Sequence, residues 1–136
     1  MALALTKLTN QVIESAESVA AASIEWASDT GGTVLNAGAG EWFQMVTIQV
    51  SVTFHASATG NCYLHLRKSS DDGTTEDTGG TSTYAMTIPV TAGATIVKSI
   101  DVYDFDYLDV GLQNLDAAQV ATWTAIYSGV KITGLD

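Results

Sequence analysis

The stretch LRKSSDDGTTEDTGG, residues 66–80, gathers Asp71, Asp72, Glu76 and Asp77 among glycines, directly after Arg67 and Lys68. Clustered carboxylates are the raw material of a calcium site, because Ca²⁺ takes about six to eight oxygen ligands. The spacing can be tested against the EF-hand loop, which wants ligands at positions 1, 3 and 5, Gly at 6 and Glu at 12. With Gly73 at position 6, the ligand places fall to Lys68, Ser70 and Asp72, and position 12 falls to Gly79. The pattern fails. A looser oxygen cage from the four carboxylates stays open, but the plainer reading of residues 69–80 is a solvated acidic loop with Asp, Gly and Thr as turn formers.

The other chemistry-bearing residues converge no better. In DVYDFDYLD, strict strand alternation sends Asp101 and Asp109 to one side and Asp104 and Asp106 to the other. Such carboxylates serve to repel a neighbouring sheet edge more readily than to cut a glycosidic bond. His55 and His65 read as exposed strand histidines, since two His without a third ligand do not make a zinc site. Cys62 is the only cysteine and alternates with Leu64 and Leu66, which marks it as a small core residue. The chain has no G-x-S-x-G, H-E-x-x-H or P-loop motif, so the reading is a non-enzyme with no catalytic residues, no metal and no cofactor.

Aromatic residues are the more informative group. Pairing Leu112 with Val120 and Val110 with Thr122 makes a hairpin of FDYLDVGLQ and QVATWTAIYSG around NLDAA. One face then carries Leu108, Val110, Leu112, Val120 and Ile126; the other collects Phe105, Tyr107, Trp123 and Tyr127, with Gly111, Ala121 and Ala125 between them. A strand apolar on both faces needs a cover on each. Those four aromatics are therefore the candidate interaction residues: a subunit contact, a patch covered by the chain itself, or a platform for a glycan ligand.

The elements that would position them are strands. From 41 to 56 the even positions read Trp42, Gln44, Val46, Ile48, Val50, Val52, Phe54 against polar odd ones, a strand with one buried face. CYLHLRK follows after SATGN, and pairing Ala56 with Cys62 makes a self-consistent hairpin with Phe54 opposite Leu64. STYAMTIPV is a strand that ends at Pro89 or lies at an edge, TIVKSIDV is another, and VKIT a short last one. Residues 12–28 fit a helix or two strands, and the β character of everything downstream favours strands. Residues 1–11 are a candidate extended N-terminal arm. The expected fold class is all-β, a single antiparallel β-sandwich of about eight strands, jelly-roll-like or Ig-like, spanning 1–136 as one domain.

Composition limits the partners. The charged fraction is 15% against 46% hydrophobic, so much of the outer surface must be neutral, as in surfaces where subunits meet. A net charge of −10 with five cations argues against nucleic acid and against an anionic membrane surface. MALALTKLTN lacks the long apolar core of a secretory signal, and no run approaches a membrane span. Synthesis in a reducing cytoplasm is expected.

The opening ALTKLTNQVIESAESVAAASIEWAS, the strand pair running into LRKSSDDGTTEDT and the closing YLDVGLQNLDAAQVATWTAIYSGVK together resemble small virion proteins of tailed bacteriophages and prophages, of the capsid-decoration (cement) or fibre type. The resemblance implies a structural role in the virion: a homo-oligomer, often a trimer, bound to the major capsid protein or another virion protein on the outside of the head. A carbohydrate- or receptor-binding module of a tail or fibre is the alternative.

Overall fold

A computed structural model describes residues 3–69 and 84–135. The acidic stretch with Asp71, Asp72, Glu76 and Asp77 lies outside the described residues, and so does the calcium question. The elements are nine strands: β1 (Leu3–Val19), β2 (Ser23–Trp26), β3 (Leu35–Asn36), β4 (Trp42–Phe54), β5 (Cys62–Ser69), β6 (Tyr84–Ile88), β7 (Thr95–Phe105), β8 (Tyr107–Asn114) and β9 (Ala121–Leu135), with one 3-10 turn at Ala27–Asp29. Residues 12–28 thus hold two strands, the end of β1 and all of β2, before the 3-10 turn begins at Ala27, and residues 3–11 form the first half of β1, paired with β9 of the same chain. VKIT continues β9 instead of adding a strand of its own.

The strands make two antiparallel sheets, β1-β9-β4-β7 and β2-β8-β5-β6, with β3 beside β8. Leaving β3 aside, every consecutive pair except β5–β6 crosses from one sheet to the other, which is the jelly-roll order. Two expected hairpins are therefore corrected. β4 pairs with β7 and β9, not β5, and Phe54 faces Ala121 in its sheet instead of Leu64. β8 pairs with β5, β2 and β3, whereas β9 pairs with β4 and β1. Alternation fixes which side chains face inward, but two apolar faces are satisfied as well by stacking across a sandwich as by lying side by side.

The core sits between the sheets. From β4 come Val46, Ile48, Val50, Val52 and Phe54; from β5 and β8 come Cys62, Leu64, Leu108, Val110 and Leu112. A register irregularity between Phe43 and Met45 reverses the parity at the start of β4, so Phe43 is buried and Trp42 is 39% exposed, contrary to simple alternation. Trp123 fills the centre of its sheet because its β9 neighbours on that face, Ala121 and Ala125, are small.

Two crossovers at one end of the sandwich are tied by one carboxylate. Asp116 accepts backbone N–H bonds from Thr59 (2.7 Å), Gly60 (3.0 Å), Ala118 (2.9 Å) and Gln119 (2.8 Å). It thus joins the β4–β5 connection to the β8–β9 connection. Gly60 is obligatory at this point, since a Cβ there would lie 2.5 Å from the Asp116 backbone nitrogen. The four donors favour the charged form and hold the Asp116 carboxyl well below the usual carboxylate range.

A depressed folded-state value gives stability that is complete above the unfolded-state pKa and is lost as pH falls through the folded one. Asp116→Asn should lower the melting temperature at neutral pH. It should also flatten the fall in stability below about pH 4 relative to the parent, as read from thermal melts across an acid series.

Candidate interaction surface

Of the four aromatics singled out by sequence, Phe105, Trp123 and Tyr127 face the interior of the sandwich, whereas Tyr107 is buried on the outer side of β8, on the face of Asp109 and Gly111. Trp123 is fully buried, and Phe105 and Tyr107 are 6% and 7% exposed. Tyr127 is half-buried against the core. Phe105 stacks on Phe43 with centroids 5.0 Å apart, and Tyr127 meets the same ring edge-on at 6.1 Å. The expected outer aromatic face is corrected for the same reason as the hairpin. Once β8 and β9 belong to opposite sheets, Trp123 and Leu112 both point to the shared interior. Of the three covers considered, the chain itself supplies the one observed. The Trp123 Nε1–H has no hydrogen-bond partner among the described residues.

The outer face of the five-stranded sheet carries a cluster that pattern reading does not reveal. Arg67 and Asp109, opposite one another on β5 and β8, form an ion pair with the Arg67 Nη2 and Nε at 2.8 and 3.1 Å from the Asp109 Oδ2. The Asp109 side chain is fully buried, and Ser28 closes it by donating its Oγ–H (2.5 Å) and backbone N–H (3.3 Å). The Arg67 guanidinium also lies 4.0 Å over the Trp26 ring. Trp26 in turn rests on Gly111, where a Cβ would sit 2.7 Å from the indole. His65, expected to be exposed, is 6% exposed beneath these rings, with its Nε2 2.8 Å from Gln113 Oε1 and edge contacts to Trp26 and Tyr84. His55 is exposed, and Cys62 is buried with its thiol pushed up to about 12 by burial and by Asp116. Among the described residues no three His, Cys, Asp or Glu side chains come together in a metal cage.

The outer face of the four-stranded sheet has a different chemistry. Its register places residues in rows across β9, β4 and β7: Thr122–Thr53–Thr95, Thr124–Ser51–Val97, Ile126–Gln49–Ser99, Ser128–Thr47–Asp101 and Val130–Met45–Tyr103. Lys7, Val12 and Ser18 of β1 extend three of them. Across β9, β4 and β7 Asp101 is the single charged residue in these rows, with Lys7 at the β1 end of the last one, and the Thr47 hydroxyl donates to Asp101 at 2.6 Å. Thr53 and Thr95 join their hydroxyls at 2.8 Å. Val97 and Tyr103 are 54% and 56% exposed. The face is flat, hydroxylated and nearly uncharged on a chain that carries −10.

The sequence matches no protein-family model and no curated protein. A solved structure described as "Bacillus endospore appendages form a novel family of disulfide-linked pili" is similar over 94% of this chain and 92% of that one, at 14% identity and a TM-score of 0.39. A TM-score that low carries neither fold nor function from that protein to this one.

Two substitutions test the Trp26 cluster. Arg67→Ala leaves a buried carboxylate without its counter-ion and should cost about 3 kcal/mol in chemical denaturation. The double variant with Asp109→Ala should cost less than the sum of the singles. Gly111→Ala should push the indole off β8, destabilise by about 1–3 kcal/mol and shift the tryptophan fluorescence to the red.

Proposed function

We propose that this chain is a structural, non-enzymatic protein of a virus particle, seated on the outside of a phage head as a decoration protein. The observation that supports this reading best is the neutral outer face of the four-stranded sheet. Charge is depleted at the centres of protein interfaces, and here the centre of one sheet face of an acidic chain is free of it, with Lys7 and Asp101 at the face's two edges. The jelly-roll order agrees, since viral shells and lectins use it widely, although a fold alone does not imply a function.

Edge pairing is a poor alternative route to assembly, because among the described residues each sheet edge is blunted. β6 has five residues and is followed by Pro89, and β2 has four. On β7, Lys98 occupies an inward-facing position opposite the buried Val50. On β1, Glu14 and Glu17 oppose the inward residues Ala125 and Trp123, and the pairing slips at four places. Inward charges, bulges and short edges all oppose strand addition. Contact through a face is left.

The face is about 19 Å wide and about 27 Å long from strand spacing and rise, roughly 500 Å². That is below the ~800 Å² per partner of a standard interface. One copy would bind weakly, and an oligomer would gain by presenting several faces at once. The trimer implied by the resemblance fits that requirement. A glycan-binding module is less well supported. The rings on which that reading rests, Phe105, Tyr107 and Trp123, are buried.

The experiment is add-back of purified protein to heads that lack it. Saturable binding is expected, and Gln49→Glu/Val97→Glu should weaken it at least tenfold, or about 1.4 kcal/mol, with the melting curve unchanged. Binding unaffected by the double variant, or no binding at all, contradicts the reading.

A further inference from the structure

We propose that β1 is an exchangeable strand: it leaves its place beside its own β9 and occupies the same place in a second copy of this chain. This inference does not rest on the particle reading. It rests on how β1 is held and how it is tethered.

β1 is held by contacts that any copy offers identically. Ile13 and Val19 are fully buried in the core. The Thr30 hydroxyl donates to Glu14 Oε2 at 2.6 Å, and the Thr33 N–H donates to the Ile13 carbonyl at 2.7 Å. At its two left-handed non-glycine positions, Asn10 and Ala16, the N–H groups reach the hydroxyls of Ser128 (2.9 Å) and Thr124 (3.0 Å) on β9. All these partners lie outside β1, so a second copy can supply every one.

The tether is the short link Ala20–Ala22, which carries the chain from the edge of one sheet to the edge of the other. Ala22 has φ 54°, a left-handed conformation that an alanine side chain disfavours. Its N–H donates to the Asp116 carbonyl at 2.8 Å and the Ser23 hydroxyl donates to the Ala20 carbonyl at 2.7 Å, and those two bonds are what exchange gives up. Straightening the link places Ala22 in extended backbone and turns β1 and β2 into one continuous arm. Short strained hinges next to terminal elements are the usual setting for such exchange. Asn10 and Ala16 keep their conformation in either state and do not bias it. Reciprocal exchange closes a dimer by rebuilding the same β1–β9 pairing in each copy and leaves the outward rows of β4 and β7 free.

The test is Ser18→Cys/Thr122→Cys, a pair opposed across β1 and β9. Oxidised protein, refolded over a range of concentrations, is run on a denaturing gel without reductant, and the native mass is read by light scattering. Exchange predicts a disulfide between chains and a covalent dimer band that grows with concentration. In the parent chain Ala22→Gly, which relieves the closed hinge, should lower the dimer fraction at least fivefold. Bands of single-chain mass at every concentration, a native dimer whose disulfides stay within chains, or no response to Ala22→Gly each overturn the proposal. Should the cysteine pair not close, the native masses of the parent and of Ala22→Gly decide alone.

Discussion

The structure depends on the chain changing sheets at nearly every connection, and on the Asp116 carboxylate that fixes two of those changes at one end. A sandwich in which neighbours in sequence face each other leaves its connections spanning the layer, where backbone N–H groups have no ladder to join. Asp116 collects four of them. Around it, the Asn114 Oδ1 accepts the Asp116 N–H at 3.0 Å, and the Asn114 Nδ2 donates to the carbonyls of Val19 and Gln119. This small polar network links the end of β1, the end of β8 and the entry to β9. Both sheets are positioned through it.

That arrangement decides which surfaces are available. Because Trp123 and Tyr127 of β9 and Phe105 of β7 are drawn inward, the four-stranded sheet presents mainly threonine, serine and a few aliphatics outward. The five-stranded sheet instead covers its outer face locally, with Trp26 on Gly111 and Arg67 on Asp109. The first surface is open and nearly neutral, and the second is largely occupied by its own side chains. The candidate contact surface therefore lies on the sheet away from the aromatic cluster.

The strands were legible in the sequence because alternation is a local signal. Val46 to Phe54 show it directly, and Pro89 correctly marks the end of β6. Pairing was not legible, since the same alternation suits a hairpin or two facing sheets, and the choice placed Phe105, Trp123 and Tyr127 on the wrong side, while Tyr107 does lie opposite Leu108 as read. Trp42 misled because a one-residue bulge reverses parity without any composition signal. The Trp26–Gly111 contact joins residues far apart in the chain. A lone glycine within the otherwise bulky YLDVGLQ was its only trace, as close backbone approach often leaves.

Side-chain footprinting by hydroxyl radicals, on free protein and on protein bound to heads, tests the central claim most directly. Tyr103 and Tyr84 are 56% and 48% exposed, one on each outer face, so they start with similar access. Binding through the neutral face predicts that Tyr103, Met45 and Val97 lose labelling while Tyr84 keeps it. Protection of Tyr84 with Tyr103 still labelled would contradict the account.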